Sequence, residues 1–563
     1  MVEAPPALVF FAGALLVAVL PRRIGSVVLL AVPLVALGQI TLLEPGAGLA
    51  WTFYGFELEP LRVDRLSLAF GYVFCGVGFL AGLYGLRTMG RAERVAALAY
   101  AGSALAVVFA GDLLTLFVGW ELKAVGSALV IWTRGTPASG AAGLRYLYAQ
   151  LIGGKLLLGG ALWHYAETGS LVFEAFAASP AAVLVLLAFM LSAAVPPLHA
   201  WLPDAYPTAS VAGTVFLSAY TTKAAVYALA RGFPGYEVLV WAGVVMALYG
   251  VFYAMLANDI RRLLAYHIVS QVGFMVAAVG IGTQEAINGA TAHAFAHIIY
   301  KGLLLMGAGA VLYATGRSKA SELGGLARLL PWTLVLYLVG AVSISGVPLF
   351  SGFVSKELSI AAASLDGRAA VVVLLKIASV GTFLSTTLKL PYATWFGRTP
   401  ADAPPGGLQQ RPVAPSMYAA MGAAAVLNLV IGLAPGAFYG LLPFTVDYDP
   451  YTLGKVVETS QILLFTAVGF WLLAHKLKSA PTIALDVDWL YRVLPRRVLA
   501  GVQPVRERLP RPAPNPSWRR GLTGLRGQVS ADGRTASPVY PTWLLGATII
   551  GVSMILLGLS LVP

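Results

Sequence analysis

Lys155, Lys223, Lys301, Lys356, Lys376 and Lys389 all fall inside long apolar stretches, alongside Glu121, His293 and His297. An ionised side chain in hydrocarbon is costly, so such groups face a bundle interior or a wetted path and mark the movement of ions or protons. The chemistry to expect is proton exchange between fixed groups at membrane depth.

Three local patterns carry that expectation. Glu121, followed closely by Lys123, lies near the middle of the fifth apolar span. A desolvated carboxylate favours its neutral form and a nearby ammonium restores its charge, so moving the lysine switches the acid; a static salt bridge is the alternative. His293, His297 and Lys301 recur every four residues and share one helix face. Imidazole titrates near neutrality, so the column reads as a proton relay. Structural hydrogen bonding and zinc binding are the alternatives, although no HExxH carboxylate accompanies the pair. Lys356, next to Glu357, follows a Gly/Pro-interrupted stretch and can hold a proton until repulsion or hydration expels it, or can serve as an ion-pair anchor. Lys223 and Lys389 each sit about one helix after a break.

These groups need elements that hold them in the bilayer. The chain has 563 residues, 58% hydrophobic and only 11% charged, which predicts an all-α polytopic membrane protein. Apolar windows of about 20 residues recur almost from end to end, giving about 14–16 transmembrane helices. The windows run approximately 4–20, 24–43, 66–86, 94–111, 112–133, 141–166, 180–198, 208–231, 237–257, 262–282, 287–314, 331–365, 369–396, 416–434, 455–474 and 541–562. Pro196, Pro197, Pro203 and Pro207 interrupt one span, and Gly346, Pro348 and Gly352 another. Paired interruptions in two halves point to an inverted-repeat transporter with its site near the midplane.

The first apolar stretch has the reverse charge order of a secretory signal, so it is expected to remain as a helix with its N-terminus outside. Arg22–Arg23, Arg87 to Arg94, Arg134, Arg261–Arg262, Arg317 to Arg328 and the 475–540 segment then all fall inside. That segment holds twelve Lys/Arg against four Asp/Glu, a surplus of eight within the net +13. It reads as a Pro-rich cytoplasmic extension serving topology and anionic lipid, or docking a partner. It carries no nucleic-acid reader motif, so nucleic acid is not an expected partner. Cys75 is the only cysteine, excluding a disulfide within the chain and any cysteine-rich metal site. No nucleophile–base motif, phosphate loop or cofactor fingerprint is present, so no cofactor is expected and an oxidoreductase label would belong to a parent complex.

Pro197-Leu198-His199-Ala200-Trp201-Leu202-Pro203-Asp204-Ala205, Asp259 to Tyr266 with Ser270-Gln271-Val272-Gly273, and the His293–Lys301 column resemble the antiporter-like subunits shared by respiratory complex I and Mrp-type cation/proton antiporters. The resemblance runs from about Asp64 to Gly397 and is nearest to the D-type subunits of Mrp Na⁺/H⁺ antiporters. It implies N-terminal helices in 1–93, a first inverted five-helix repeat in 94–231 and a second in 237–397, each with a broken helix. C-terminal helices in 398–474, the extension 475–540 and a final helix 541–563 would follow. It further implies roles for Glu121 as the fifth-helix carboxylate, Lys223 as the eighth-helix lysine, His293, His297 and Lys301 as the central axis, and Lys356 as the twelfth-helix lysine. His199 matches a loop histidine beside the first break.

One departure stands out. The family places a lysine on the seventh helix as partner of the glutamate, and this chain has Ser192 there. Lys155, in the layer equivalent to Lys301, is the candidate replacement, with Lys123 as competitor; otherwise the first half has ceased to pump. The resulting expectation is one component of a multisubunit antiporter in the cell (inner) membrane, moving H⁺ along Glu121, Lys155, Lys223, His293, His297, Lys301, Lys356 and Lys389. Na⁺ is the candidate exchanged cation, with Thr221, Thr222, Ser192 and Asp204 as available oxygens. A proton-pumping component of a redox-driven complex and a non-conducting scaffold are the rivals.

Overall fold

The computed structural model describes residues 4–398, 408, 410–473, 486, 487 and 489. The expected basic extension and final helix, apart from Asp486, Val487 and Trp489, lie outside the described residues.

Two helices, α1 (Ala7–Val19) and α2 (Arg22–Thr41), lead into an antiparallel hairpin of β1 (Gly48–Phe53) and β2 (Phe56–Arg62). The hairpin departs from a purely helical expectation. Its cause is local: Tyr54 and Gly55 both take positive φ, 48° and 82°, the twist that a two-residue hairpin turn requires. Then come α3 (Arg65–Gly85), α4 (Arg91–Phe109), α5 (Leu113–Trp132), α6 (Pro137–Thr168), α7 (Pro180–Ser192), the short α8 (Trp201–Ala205), α9 (Gly213–Ala219) and α10 (Thr221–Gly232). The chain continues through α11 (Glu237–Leu256), α12 (Ile260–Ile281), α13 (Gln284–Thr315), α14 (Pro331–Ser345), α15 (Ser351–Leu365), α16 (Ala369–Thr382), α17 (Pro415–Leu433), α18 (Pro435–Tyr439) and α19 (Leu453–Leu473).

Ten described helices are long and apolar enough to cross a bilayer, and α1, α7 and α14 are shorter apolar helices. Many begin at side-chain caps that satisfy the free N–H groups of a first turn. Asp64 and Thr136 form reciprocal boxes with Ser67 and Ser139, while Asp112 and Asp259 each accept two backbone N–H bonds. The interior belongs to α12 and α13, whose apolar windows are 100% and 89% buried, whereas α19 has no buried residue. Close approach of α11 and α12 depends on small residues; a Cβ on Gly243 would meet the Ala277 backbone nitrogen at 2.3 Å.

The breaks fall where proline and glycine put them, with differences in extent. The helix of the 180–198 window stops at Ser192, and a non-helical stretch including Ala194 at φ 63° leads to α8. The 331–365 window divides into α14 and α15 around Gly346 at φ 76° and Leu349 at φ 75°. A further discontinuity separates α9 from α10 at Tyr220, and π-helical turns follow α16 at Phe383–Lys389 and Tyr392–Phe396.

Candidate functional site

The α9/α10 discontinuity shows how the fold prepares a lysine site. The Thr221 backbone N–H donates to the Tyr100 hydroxyl at 3.0 Å, and Tyr220 is held by its own hydroxyl on the Phe74 carbonyl at 3.1 Å. The carbonyl of Ser218 accepts instead from Lys223 Nζ at 2.7 Å. At the α14/α15 break, Lys356 Nζ donates to the Ile344 carbonyl at 2.7 Å and to Ser379 Oγ at 3.1 Å. Lys389, at the end of the first π-helical turn, donates to the Met255 carbonyl near the end of α11 at 2.5 Å. Each ammonium therefore rests on a carbonyl at or near a helix C-terminus, the negative end of the helix dipole. No carboxylate is needed to seat these three cations.

Between them lies the α13 column. His293 Nδ1 is 3.2 Å from Ser355 Oγ and its Nε2 is 3.5 Å from the Tyr300 hydroxyl. The His293 and His297 rings are 6.3 Å apart. Neither nitrogen of His297 nor Lys301 Nζ has a hydrogen-bond partner among the described residues, although all are buried. The column is electrostatically joined to both neighbours: Lys223, Lys301 and Lys356 all act on His297, and Lys223 acts on Lys301.

Glu121 occupies the first half. Lys155 Nζ on α6 stands 3.5 Å from Glu121 Oε1, while Lys123 Nζ turns away to lie 3.4 Å from the centroid of the Trp120 ring. Ser192, where the resemblance led one to look for a lysine, donates to Gln150 Oε1 at 2.6 Å. Lys155 differs from the buried Lys123, Lys223, Lys301, Lys356 and Lys389 in having a side chain 46% exposed. Gly154 makes its ion pair possible, since a Cβ there would sit 1.7 Å from Glu121 Oε1. Because the obstructed atom is the end of a flexible side chain, Gly154→Ala is expected to leave assembly near wild type yet displace the carboxylate. Proton transport should fall about ten- to hundredfold; wild-type rates in reconstituted vesicles would show that the pair is not used.

Asp204 makes two bonds to Arg145, at 2.6 and 3.0 Å, and serves as a clamp between α6 and α8. Glu357 lies 4.0 Å from Lys455 on α19, and Lys376 pairs with Glu458. His199 Nε2 is 3.2 Å from Asp486 Oδ1. That carboxylate also accepts from the hydroxyls of Tyr249 and Tyr266, both at 2.5 Å. Burial alone would raise the Asp486 carboxyl, but the hydrogen bonds from His199, Tyr249 and Tyr266 outweigh it and hold the group below the usual carboxylate range.

Sequence reasoning missed several polar residues. A hydroxyl chain runs from Tyr100 on α4 to Thr221, two residues before Lys223 on α10, at 2.6 Å and on to Tyr146 on α6 at 2.9 Å. His267 on α12 is fully buried, with Nε2 2.6 Å from Ser385 Oγ. Its place inside the Asp259–Gly273 motif was a usable signal, whereas Asp486 had none. Among the described residues, no group of three or more His, Cys, Asp or Glu side chains is arranged to hold a metal.

Residues 110–385 match the family described as NADH:quinone oxidoreductase/Mrp antiporter, TM. The matched segment is just under half of the chain, which is similar to the antiporter-like membrane subunits of the complex I and Mrp superfamily. It is 33% identical over 308 residues to the D-type subunit of the Na⁺/H⁺ antiporter of Alkalihalophilus pseudofirmus, covering 51% of this chain and 62% of the relative. It is 30% identical over 410 residues to the A/B component of a probable K⁺/H⁺ antiporter of Rhizobium meliloti, covering 68% of this chain and 40% of the relative. The match thus spans less than two thirds of either curated relative. A chain in the structure of the Mrp complex from Dietzia sp. DQ12-45-1b aligns with TM-score 0.70 at 25% identity, over 82% of this chain and 98% of that one.

Proposed function

We propose that this chain is a proton-translocating membrane component of a multisubunit monovalent cation/proton antiporter, working in the cell membrane with other membrane subunits. The observation that carries the reading is the buried column in which Lys301 and His297 lack partners among the described residues while lying within electrostatic reach of Lys223, and His297 of Lys356. Buried polar atoms need partners, and water is the partner that also conducts protons. Thr222, Ser270 and Gln271 add buried side-chain oxygens of the same kind.

Motion of charge follows from the geometry. With Lys223 and Lys301 both protonated, repulsion favours passing a proton onward through His297 and His293 to Lys356. When Lys356 is neutral, its amine lone pair can take the next proton, and the Ile344 carbonyl steadies the ammonium that forms. In the first half, the Glu121–Lys155 pair would control the charge that reaches Lys223 by way of Tyr146, Thr221 and Tyr100. The two segments 94–231 and 237–397 then act as inverted repeats, each containing a broken helix. The N-terminus is outside and the basic 475–540 segment cytoplasmic, the orientation that places the Arg-rich loops inside. A half-exposed lysine at membrane depth requires a neighbour, so the α6 face bearing Lys155 fits against another membrane protein of the complex.

The test is the purified assembled complex in vesicles carrying a pH gradient, without quinone or electron donor. Added Na⁺ or K⁺ should dissipate the gradient; no response to either cation, together with co-purified redox subunits, would replace antiport with redox-driven pumping. Lys155→Ala is expected to lower transport by at least about tenfold, whereas Lys123→Ala should have a smaller effect. Normal rates for Lys155→Ala would remove it from the first half's switch.

A further inference from the structure

Resting on that reading, we propose that the face where α15, α16 and α19 meet is the second half's outlet, leading from Lys356 to the surface beside the α15–α16 turn. Four charged side chains that the axis does not use converge there. Glu357 follows Lys356 on α15 and lies 4.0 Å from Lys455 of α19, while Lys376 of α16 pairs with Glu458 of α19. Counting the helical rise from the nearest helix ends, Lys376, Glu357 and Glu458 lie about 8–12 Å below them. The deepest of the four is the least exposed: Glu357 is 10% exposed at its side chain, against 28% for Lys376, 30% for Lys455 and 45% for Glu458.

A small cavity joins this cluster to the axis. It is lined by Ser345, Glu357, Lys376, Ser379, Glu458 and Thr459, among others, and measures about 30 Å³. That is room for about two waters, which the polar side chains can hold against a wall completed by Ile360, Val380, Ile462 and Leu463. Ser379 belongs to both places, since its Oγ accepts from Lys356 Nζ at 3.1 Å. In the step, the Lys356 ammonium gives a proton through cavity water to the Glu357 carboxylate, leaving a neutral amine and a neutral acid. Glu357 then releases the proton to water at Glu458, regaining its charge opposite Lys455, and Lys356 is recharged from the histidine side. A static clamp holding α19 is the competing role for the same ion pairs.

The experiment uses the assembled complex in a Cys75→Ala background, which removes this chain's only cysteine and serves as the silver-treated reference for thiols on other subunits. Ser379→Cys is treated in chloride-free vesicles with silver ion, a thiol reagent small enough for a water-sized passage, from each side separately. The outlet requires reaction from the side bearing the α15–α16 turn and an at least tenfold fall in transport on reaction, with a similar fall in Glu357→Gln. A thiol silent from that side, or one that reacts without slowing transport, overturns it, as does wild-type transport by Glu357→Gln. If Glu357→Gln does not assemble, the silver result decides alone. Lys301→Ala separates the levels: normal transport there defeats the antiporter reading, whereas loss there with a silent Ser379→Cys defeats only the outlet.

Discussion

Gly352→Ala should abolish transport and sharply reduce the yield of assembled complex. A Cβ at this position would stand 1.7 Å from the Ser343 carbonyl oxygen, and the obstruction is backbone that cannot swing aside. The second break would have to open. Its geometry is fixed by Ser343 and Ser351, whose hydroxyls lie 3.2 Å apart and donate to Asn428 Oδ1 at 3.1 and 2.5 Å, while Asn428 itself donates to the Ala424 carbonyl at 2.8 Å. Separating α14 from α15 also carries the Ile344 carbonyl away from Lys356, removing the acceptor that seats its ammonium. Overpacking of this kind costs about 1–3 kcal/mol and more when only backbone can yield. Gly436→Ala is the matched control, because a Cβ there meets nothing within 4 Å. Equal yield and transport in the two variants would show that the close α14–α15 junction is dispensable.

The parts of the fold set by local chemistry were legible. Apolar windows located the helices through Leu473, and proline and glycine located both expected breaks. The α9/α10 discontinuity was not, because Tyr220 has no helix-breaking character of its own. It arises when Tyr100 takes the Thr221 N–H, a contact across 121 residues of sequence. The π-helical turns before Lys389 are similarly silent, since Phe383 to Lys389 reads as an ordinary apolar helix with threonines. The hairpin carries only half of a turn signal, because Gly55 suits positive φ whereas Tyr54 does not, and Tyr54 adopts it all the same.

Within the site, the helical period alone aligned His293, His297 and Lys301. Which lysine faces Glu121 was beyond local pattern: Lys123 is nearer in sequence, yet it packs on Trp120 while Lys155 reaches over from α6 beside Gly154. The seats of Lys223, Lys356 and Lys389 were equally hidden, because their partners are backbone carbonyls that carry no mark in a sequence. Asp486 shows the same limit from the other side. One acid in a basic segment carries no local signal, and only the tertiary arrangement brings it to His199 and two tyrosine hydroxyls.

Lys301 is the side chain whose removal should cost the most transport while leaving the described hydrogen bonds intact. Its Nζ makes no hydrogen bond to the described residues, so truncation to alanine leaves none of their polar groups unsatisfied, and the flanking helices should still assemble. What disappears is the only ammonium on the α13 column between Lys223 and Lys356, and with it the group that must take and return a proton. Proton flux should be measured in vesicles containing the assembled Lys301→Ala complex, with Lys301→Arg beside it to retain charge without ready deprotonation. Both variants should co-purify with the other membrane proteins of the complex and lose transport by about a hundredfold or more; a fully assembled Lys301→Ala complex that moves protons at the wild-type rate would contradict a proton path through this column.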